Sequence, residues 1–395
     1  MKLLRTLSTS RLLLLIGGVA ALAGSVGAIA VAASGGGGPT PSPKPLANAL
    51  HDAVTAPAPK GITARIKFTN NLFPSGALAG NLGSALMTGA SGRLWATNDG
   101  RGRLELQSNA GDVQVVWNQT AVTIFDASSN TVYRAKLPAH AAATKEPGGT
   151  DGTGGPTLAR IRDLLSKLSN HADVSGARPS DVANHAAYTV RLSPKHDGGL
   201  LGAGELAWDA VSGVPLRIGI YAQGASSPVL QLKATKISYG AVASSDVEVS
   251  PPADAKVVDL GSLGRSRHHQ KGAHVSVNGL KAVESKAGFP VIAPDTLVGL
   301  PRQDARLVGG SGSTAALLVY GHGLGAIVVV ERKADAQSGN GMLGSLPSVS
   351  IAGATGHELA TQLGTVLSWS RGGVAFVLAG SVPPAGAEAA ARELK

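Results

Sequence analysis

Residues 205–236 contain three apolar runs, and their alternation constrains the fold more than any other feature of the chain. Leu216, Ile218 and Ile220 occupy every second position of the middle run, and a Ser-Gly pair at 212–213 precedes it. Strict alternation is typical of a half-buried β-strand, and short Gly-containing gaps are typical of hairpin turns. The segment therefore predicts three antiparallel strands that share one apolar face. Such a face must cover a core or hold a ligand.

The same alternation recurs upstream and predicts a long antiparallel meander. Further alternating segments are residues 62–68, 103–107, 113–117, 120–126, 130–137 and 186–192. Apolar residues at helical spacing in 46–54 and 157–168 predict two amphipathic helices that lie on the apolar face of this sheet.

Composition excludes several classes of site. The chain of 395 residues has no cysteine, which excludes thiol catalysis, disulfides and thiolate metal ligands. It contains no Gly-x-Ser-x-Gly elbow and no carboxylate pair that we would assign to acid-base catalysis, so we expect no enzyme. The net charge of +10 permits contact with anionic headgroups or acidic polymers, although a solvated basic surface also explains it. Because the basic residues are scattered in sequence without interleaved aromatics, we expect no nucleic-acid partner.

The first 33 residues predict export. Lys2, Arg5 and Arg11 precede residues 12–33, which are 22 residues without a charge. As a helix they would reach about 33 Å, close to a bilayer core of about 30 Å. This length favours an uncleaved signal anchor in the cytoplasmic membrane over a signal peptide cut near residues 30–34, and either form places the body outside the cytoplasm.

Two linkers divide the rest of the chain. Residues 34–45, rich in Gly and Pro, predict a tether, and residues 259–283 predict a basic linker between domains at 46–258 and 284–395. His268, His269 and His274 lie in the second linker, but adjacent histidines on a flexible segment lack the geometry of a metal site. We therefore assign no metal and no cofactor.

The order of elements in residues 46–258 resembles a known superfamily. A helix, strand pairs, a mid-chain helix, the strand Ala-Ala-Tyr-Thr-Val-Arg-Leu at 186–192, the hairpin Leu-Ala-Trp-Asp-Ala-Val-Ser-Gly-Val-Pro-Leu-Arg at 206–217 and Ser-Pro-Pro-Ala-Asp-Ala-Lys-Val at 250–257 follow one another. This order is similar to the LolA-like lipoprotein carriers. The resemblance implies a curved antiparallel half-barrel whose open side is covered by helices.

The second domain narrows the resemblance to the two-domain RseB/MucB-like regulators of envelope-stress sigma factors. Residues 317–331 resemble that family's strand pair around a Gly-Leu turn, and residues 373–392 resemble its last strand and terminal helix. The turn carries Gly-His-Gly at 321–323, where the family more usually has an acidic residue. The expected fold class is thus α+β, with a smaller C-terminal α+β domain after the half-barrel.

Within the second domain, helix signals appear twice. Thr-Gly-His-Glu at 355–358 has the form of a capping box before Leu359, Leu363, Val366 and Leu367, and so predicts a helix. Pro384 predicts the start of the final helix.

Two functional classes follow. The first is an exported, membrane-tethered binder of a lipid or a lipoprotein acyl chain, acting either as a sensor in a sigma/anti-sigma system or as a carrier. In this class, residues 284–395 would bind an anti-sigma factor or another membrane protein. The second is a structural or adhesion protein without a lipid ligand. The residues predicted to face a ligand cavity are Ile66, Phe68, Leu104, Leu106, Val115, Trp117, Tyr188, Trp208, Leu216, Ile218 and Ile220.

Overall fold

The computed structural model describes residues 38–72, 85–137, 157–195, 199–262, 277–310, 313–334, 344 and 346–395. Two sheets account for most of these residues, and the described part of the chain places thirteen strands in the first sheet and nine in the second. Helices pack on both sheets. The predicted α+β class, with a larger N-terminal and a smaller C-terminal sheet, is confirmed.

The first sheet is an open antiparallel meander. Its strands are β1 (Gly61–Asn70), β2 (Ala90–Thr97), β3 (Gly102–Ser108), β4 (Gly111–Trp117), β5 (Ala121–Asp126), β6 (Thr131–Lys136), β7 (Ala172–Val174), β8 (Arg178–Val182), β9 (His185–Pro194), β10 (Leu201–Asp209), β11 (Pro215–Ala222), β12 (Leu230–Tyr239) and β13 (Lys256–Ser262). They lie in the order β13-β6-β5-β4-β3-β2-β1-β12-β11-β10-β9-β7, and β8 pairs with β9. Only β13 runs parallel to its neighbour, β6. The pairing of β1 with β12 brings the two ends of the meander together in the middle of the sheet.

Four helices belong to this sheet: α1 (Leu46–Thr55), α2 (Ala85–Thr88), α3 (Leu158–Ser169) and α4 (Ser244–Val247). The buried residue of α1, Ala49, packs with Tyr188 and Trp208. The hydroxyl of Thr157 accepts a hydrogen bond from Arg160 N and caps α3.

Helix α3 differs from the expectation that both long helices cover the apolar face. It contacts α1 and the edge strand β7. Ile161 is buried, but Leu164 is 55% exposed. The apolar face is therefore covered by α1 and α2, whereas α3 extends the helical layer past the edge of the sheet.

The second sheet contains β14 (Val277–Asn278), β15 (Thr296–Leu297), β16 (Leu300–Gly310), β17 (Ser313–Tyr320), β18 (Ile327–Lys333), β19 (Ser348–Ile351), β20 (Ala354–Thr361), β21 (Gly364–Arg371) and β22 (Val374–Gly380). Helices α5 (Leu280–Lys286) and α6 (Pro384–Glu393) pack on it. The turn at Gly323–Gly325 and the final helix beginning at Pro384 lie where the sequence predicted them. Strand β14 and the start of α5 fall inside the segment predicted as a linker, and the division into domains at 258 and 284 stays a prediction.

The helix predicted from the capping-box pattern is wrong. Residues 354–371 form the hairpin of β20 and β21, with Thr361 paired to Gly364. Leu359, Leu363 and Leu367 are four residues apart and match the helical period, but Leu363 lies in the turn between the strands. In β21, Thr365, Leu367 and Trp369 are buried at every second position. The cross-strand packing of β21 against β22 outweighs the local helix signal.

Several predictions fall outside the described residues. These are the anchor at 12–33, residues 34–37 of the tether and the histidines at 268, 269 and 274. Among the described residues, no helix has both the length and the hydropathy needed to cross a bilayer.

Candidate functional site: the apolar face of the first sheet

A continuous row of apolar side chains crosses five adjacent strands of the first sheet. Phe68 is directly opposite Leu232, which is opposite Ile218, and Ile218 is opposite Leu206, which is opposite Val190. Directly opposed residues project from the same face of a sheet, so the row lies on one face. Val190 is buried, and the other four side chains are only half-buried. The row spans four interstrand spacings, or about 19 Å.

The next row of the same face contains unfilled space. Asn70 is opposite Leu230, Leu230 is opposite Ile220, and Gly204 is opposite both Ile220 and Leu192. A Cβ atom built on Gly204 would meet no atom within 4 Å. The three aliphatic side chains of this row are half-buried. Together the two rows, hereafter the open rows, form an apolar surface, called the groove floor below, above which the described residues leave space at Gly204.

The remainder of the apolar face is filled by helices. Ile66 and Leu106 are 5% and 2% exposed, and they form a core cluster with Ala85 of α2. Tyr188 and Trp208 are each 3% exposed and pack against α1. These two clusters also take in five members of the open rows, namely Val190, Leu192 and Leu206 with α1 and Phe68 and Leu232 with α2. The apolar side chains of the open rows that belong to neither cluster are Ile218, Ile220 and Leu230, which surround Gly204.

The structure divides the predicted cavity residues into three groups. Ile66, Leu106 and Leu216 are buried in the cluster beneath α2, with Phe68, Leu104 and Val115 packed at its margin. Tyr188 and Trp208 are buried beneath α1. Trp117, Ile218 and Ile220 are half-buried. Contact with a ligand stays a prediction for all eleven, and the open rows bring together three of them, Phe68, Ile218 and Ile220.

Sequence reasoning missed Leu192, Leu206, Leu230 and Leu232 and the space over Gly204. Leu230 and Leu232 alternate with Gln231 and Lys233, so period-two alternation could have identified them. The role of Gly204 depends on the register of three strands, for which the sequence carries no local signal.

The open rows end beside the second sheet. The backbone N–H of Gln362, in the turn between β20 and β21, donates to Leu72 O at 3.2 Å, and its side-chain Nε2 donates to Asn71 O at 2.6 Å. Leu200 N donates to Ser381 Oγ at 2.9 Å and to Ser381 O at 3.2 Å. These contacts begin one residue after Asn70 and four residues before Gly204, at one end of the groove floor.

Gly199 makes part of this contact. It has φ of +56°, and a Cβ atom there would collide with the backbone and side chain of Ser381. Both the left-handed conformation and the close approach require glycine at this position.

A buried polar network closes the opposite end of β10. The carboxylate of Asp209, a residue that is 3% exposed, accepts hydrogen bonds from the backbone N–H groups of Val211 and Ser212 at 2.9 Å. It also contacts His185 Nδ1 at 2.9 Å and accepts from the Tyr239 hydroxyl at 2.8 Å. Burial beside this carboxylate raises the pKa of Tyr239. Every partner of Asp209 is in the sheet or its turn, so the network fixes the hairpin that the Trp-Asp and Ser-Gly pairs predicted.

The second sheet buries a carboxylate of its own. Glu331 is 0% exposed, and its Oε2 accepts a hydrogen bond from Ile292 N at 2.9 Å. Its Oε1 has no hydrogen-bond partner among the described residues. Burial raises the pKa of Glu331 to about 7, against the lowering effect of the Ile292 N–H. This carboxylate attaches residues 288–295 to the sheet.

The groove floor consists of apolar side chains, with Gly204 inside it and Asn70 at its end. Among the described ranges, no three His, Asp or Glu side chains are placed to hold a metal ion. A cavity of about 490 Å³ lies on the second sheet, lined by Asn278, Asp304, Arg306, Leu307 and Val308, and it shares no residue with the open rows. The exposed parts of the apolar side chains on the first sheet would leave water if another apolar group covered them.

Comparison with known proteins gives structural neighbours only. The chain matches no family model and no curated protein. A crystal structure of MucB in complex with MucA(peri) is similar with a TM-score of 0.42 and 14% identity, over 89% of this chain and 96% of that one. The Pseudomonas aeruginosa MucA/MucB complex is similar with a TM-score of 0.41 and 15% identity, over 88% and 94%.

A domain described as a putative outer membrane lipoprotein-sorting protein from Vibrio parahaemolyticus is also similar, with a TM-score of 0.20 and 7% identity, over 48% of this chain and 89% of that one.

Proposed function

We propose that the open rows bind the acyl chain of a lipid or lipoprotein, and that the chain is an exported, membrane-tethered sensor of the RseB/MucB-like kind. The observation that carries the proposal is the unfilled space over Gly204 between half-buried Leu192, Ile220 and Leu230. A folded protein gains by covering such a face, because each methylene removed from water contributes about 0.8 kcal/mol.

The dimensions of the open rows support an acyl ligand. Five strands give a floor of about 19 Å, which exceeds the ~15 Å hydrocarbon depth of one bilayer leaflet. The half-buried side chains of the open rows are aliphatic apart from Phe68 and Asn70, and the polar Asn70 lies at the end of the second row. A chain lying across the floor would meet apolar side chains along its length and a polar group at one end.

The contact with the second sheet supports a sensor over a carrier. A ligand over Leu230 and Gly204 would lie within a few residues of the backbone of Asn71, Leu72 and Leu200, which bind the second sheet. A ligand bound at the open rows could therefore change the contact between the first and second sheets. The proposed partner of the second domain is an anti-sigma factor, and this part of the proposal rests on the sequence resemblance.

The test uses the full chain, produced with its own export segment and studied by native mass spectrometry with lipid extraction. We expect an acyl lipid bound to the wild type. The variant Gly204→Leu places a side chain in the open space and should lose the lipid. Its far-UV circular dichroism should not change, because Gly204 lies in a strand and has no positive φ.

The matched control is Gly176→Leu. A Cβ atom on Gly176 also meets nothing within 4 Å, but this residue is exposed between β7 and β8, away from the open rows. The control should keep the lipid. A wild type that stays free of lipid after incubation with membrane lipids would favour the structural or adhesion alternative, and equal binding by Gly204→Leu would place the ligand elsewhere.

A further inference from the structure

The opposite face of the same strands carries like charges in direct opposition. Arg65 of β1 is directly opposite Arg93 of β2 on one side and Lys236 of β12 on the other. All three side chains belong to exposed residues. These residues are distant in sequence, and only the pairing of the two ends of the meander places them in one row.

The adjacent row repeats this arrangement. Lys67 of β1 is opposite Lys233 of β12, and Lys233 is opposite Arg217 of β11. Because Arg65 and Lys67 are two residues apart in one strand, both rows project from the same face. The six residues, hereafter the basic face, cover four contiguous strands.

Two acidic residues lie beside the basic face on the same side of the sheet. Glu205 forms an ion pair with one member, Arg217, at 3.0 Å. Glu105 is directly opposite Arg93 but forms its ion pair with Arg103. The next acid along the rows, Asp112, is on β4, three strands from β1. Within the described residues, Arg65, Lys67, Arg93, Lys233 and Lys236 form no ion pair with an acid.

Such a face costs stability in isolation. Directly opposed like charges have Cβ atoms about 5 Å apart and destabilise a sheet. An external anionic surface removes this cost, because it supplies counter-charge at once to the five basic residues that have no ion pair. The broad, regular spacing over four strands suits an extended array of headgroups better than a single small anion.

The position of the tether favours a bilayer as that surface. Gly38 packs against the Asp181 side chain of β8, so this residue of the tether lies beside the edge of the first sheet. The predicted anchor ends at residue 33, and five extended residues reach at most about 18 Å. Strand β9, which pairs with β8, is two strands from β11, where the basic face starts. An anchored chain would therefore hold the basic face close to the membrane surface.

We propose that the basic face docks the first sheet on an anionic phospholipid bilayer, with the apolar face turned away from the headgroups. Docking would add a second membrane contact to the anchor and fix the orientation of the open rows relative to the bilayer. The proposal rests on the membrane tether of the proposed function.

The test exploits the absence of cysteine. A single Thr63→Cys variant of the full chain places an environment-sensitive fluorophore on an exposed position two residues before Arg65. A Thr355→Cys variant labels an exposed position of the second sheet as the reference. Each is mixed with vesicles of pure phosphatidylcholine or of phosphatidylcholine with 30% phosphatidylglycerol, and both flotation and emission are measured.

We expect a blue-shifted, several-fold stronger emission from the Thr63→Cys label on anionic vesicles only, with a much smaller change at Thr355→Cys. The response should fall at 1 M salt, where the screening length is about 3 Å. It should also disappear in a variant that combines Arg65→Ser, Lys67→Ser, Arg93→Ser and Lys236→Ser. A charge-matched control with Lys281→Ser, Lys286→Ser, Arg332→Ser and Lys333→Ser changes exposed residues of the second domain and should respond like the wild type.

The outcomes separate docking from tethering. Flotation with neutral vesicles measures attachment through the anchor, whereas emission of the Thr63→Cys label measures contact between the basic face and the membrane. A label response that persists in the four-residue variant, or that is equal on neutral vesicles, would overturn docking. An equal response to soluble polyglutamate would replace the bilayer by a free polyanion and would also overturn it.

Discussion

The two sheets bury their apolar faces to different degrees. In the second sheet, Leu318, Val329, Leu367 and Leu378 are all 0% exposed, and α5 and α6 complete the core. In the first sheet, Phe68 and its partners in the open rows stay half-buried, although helices cover both flanks. The second sheet encloses a filled core, and the first has a face that the described residues cover only in part.

This difference has a physical meaning. A filled core gains stability from every side chain, whereas a half-covered face keeps part of that free energy available for a ligand. The buried Glu331 is typical of a filled core, because its carboxylate is enclosed by the second sheet and accepts a hydrogen bond from the backbone N–H of Ile292. Gly204 is typical of a half-covered face, because a residue without a side chain leaves space above its strand.

The largest expected effect comes from truncating equivalent apolar residues in the two sheets. Leu378→Ala should lower the free energy of unfolding by about 3–5 kcal/mol, since a fully buried side chain leaves a cavity. Ile218→Ala should cost about 1–2 kcal/mol, because its side chain is already half in water. Urea titration followed by tryptophan fluorescence measures both. Equal losses would show that the open rows are ordinary core.

A pH titration tests the buried carboxylate of the second sheet. The folded-state pKa of Glu331, at about 7, lies above its ordinary value of 4.5. The protonated form is therefore favoured in the folded protein, and its stabilisation is fully present below pH 4.5 and lost as the pH rises through 7. The change is about 3 kcal/mol.

The measurement is the free energy of unfolding of the wild type and of Glu331→Gln between pH 4.5 and 7.5. The variant cannot ionise at this position, so its unfolding free energy should lose this downward trend. A trend that is the same in both proteins would assign it to other groups.

A smaller effect should follow from Gly199→Ala at the contact between the sheets. The left-handed conformation costs about 1 kcal/mol for alanine, and the added methyl group collides with Ser381. We expect faster hydrogen exchange of the Leu200 amide, which donates to Ser381. Gly372→Ala has the same conformational cost at φ of +57° with no atom within 4 Å, so it controls for backbone strain. Unchanged exchange at Leu200 would mean that the contact tolerates the displacement.

Alternation of apolar residues predicted most strands of the first sheet. Helical spacing predicted α1 and α3 correctly but also predicted a helix that is a hairpin. Residues 62–68 and 216–220 alternate strictly, and both lie in strands of the first sheet. The predicted helix at 359–367 failed because a hairpin turn at Leu363 gave apolar residues a spacing that also fits a helix. The spacing of apolar residues cannot by itself distinguish a helix from a hairpin whose turn contains an apolar residue.

The candidate site was predicted in part. Phe68, Ile218 and Ile220 were identified because each belongs to a run with apolar residues at every second position. Leu206 and Gly204 were not, since their place on the groove floor depends on which residue of β11 lies opposite β10. The basic face was missed for the same reason, because Arg65, Arg93 and Lys236 look scattered along the chain.

The sequence by itself determined most strands of the first sheet, the α1 and α3 helices, the turns and the apolar character of one face, because these depend on residues a few positions apart. Only the tertiary structure decided which strands are neighbours, and hence that β1 pairs with β12 in the middle of the sheet. That single pairing joins the open rows on one face and the basic face on the other. Both surfaces depend on contacts between residues more than a hundred positions apart, for which short-range periodicity carries no information.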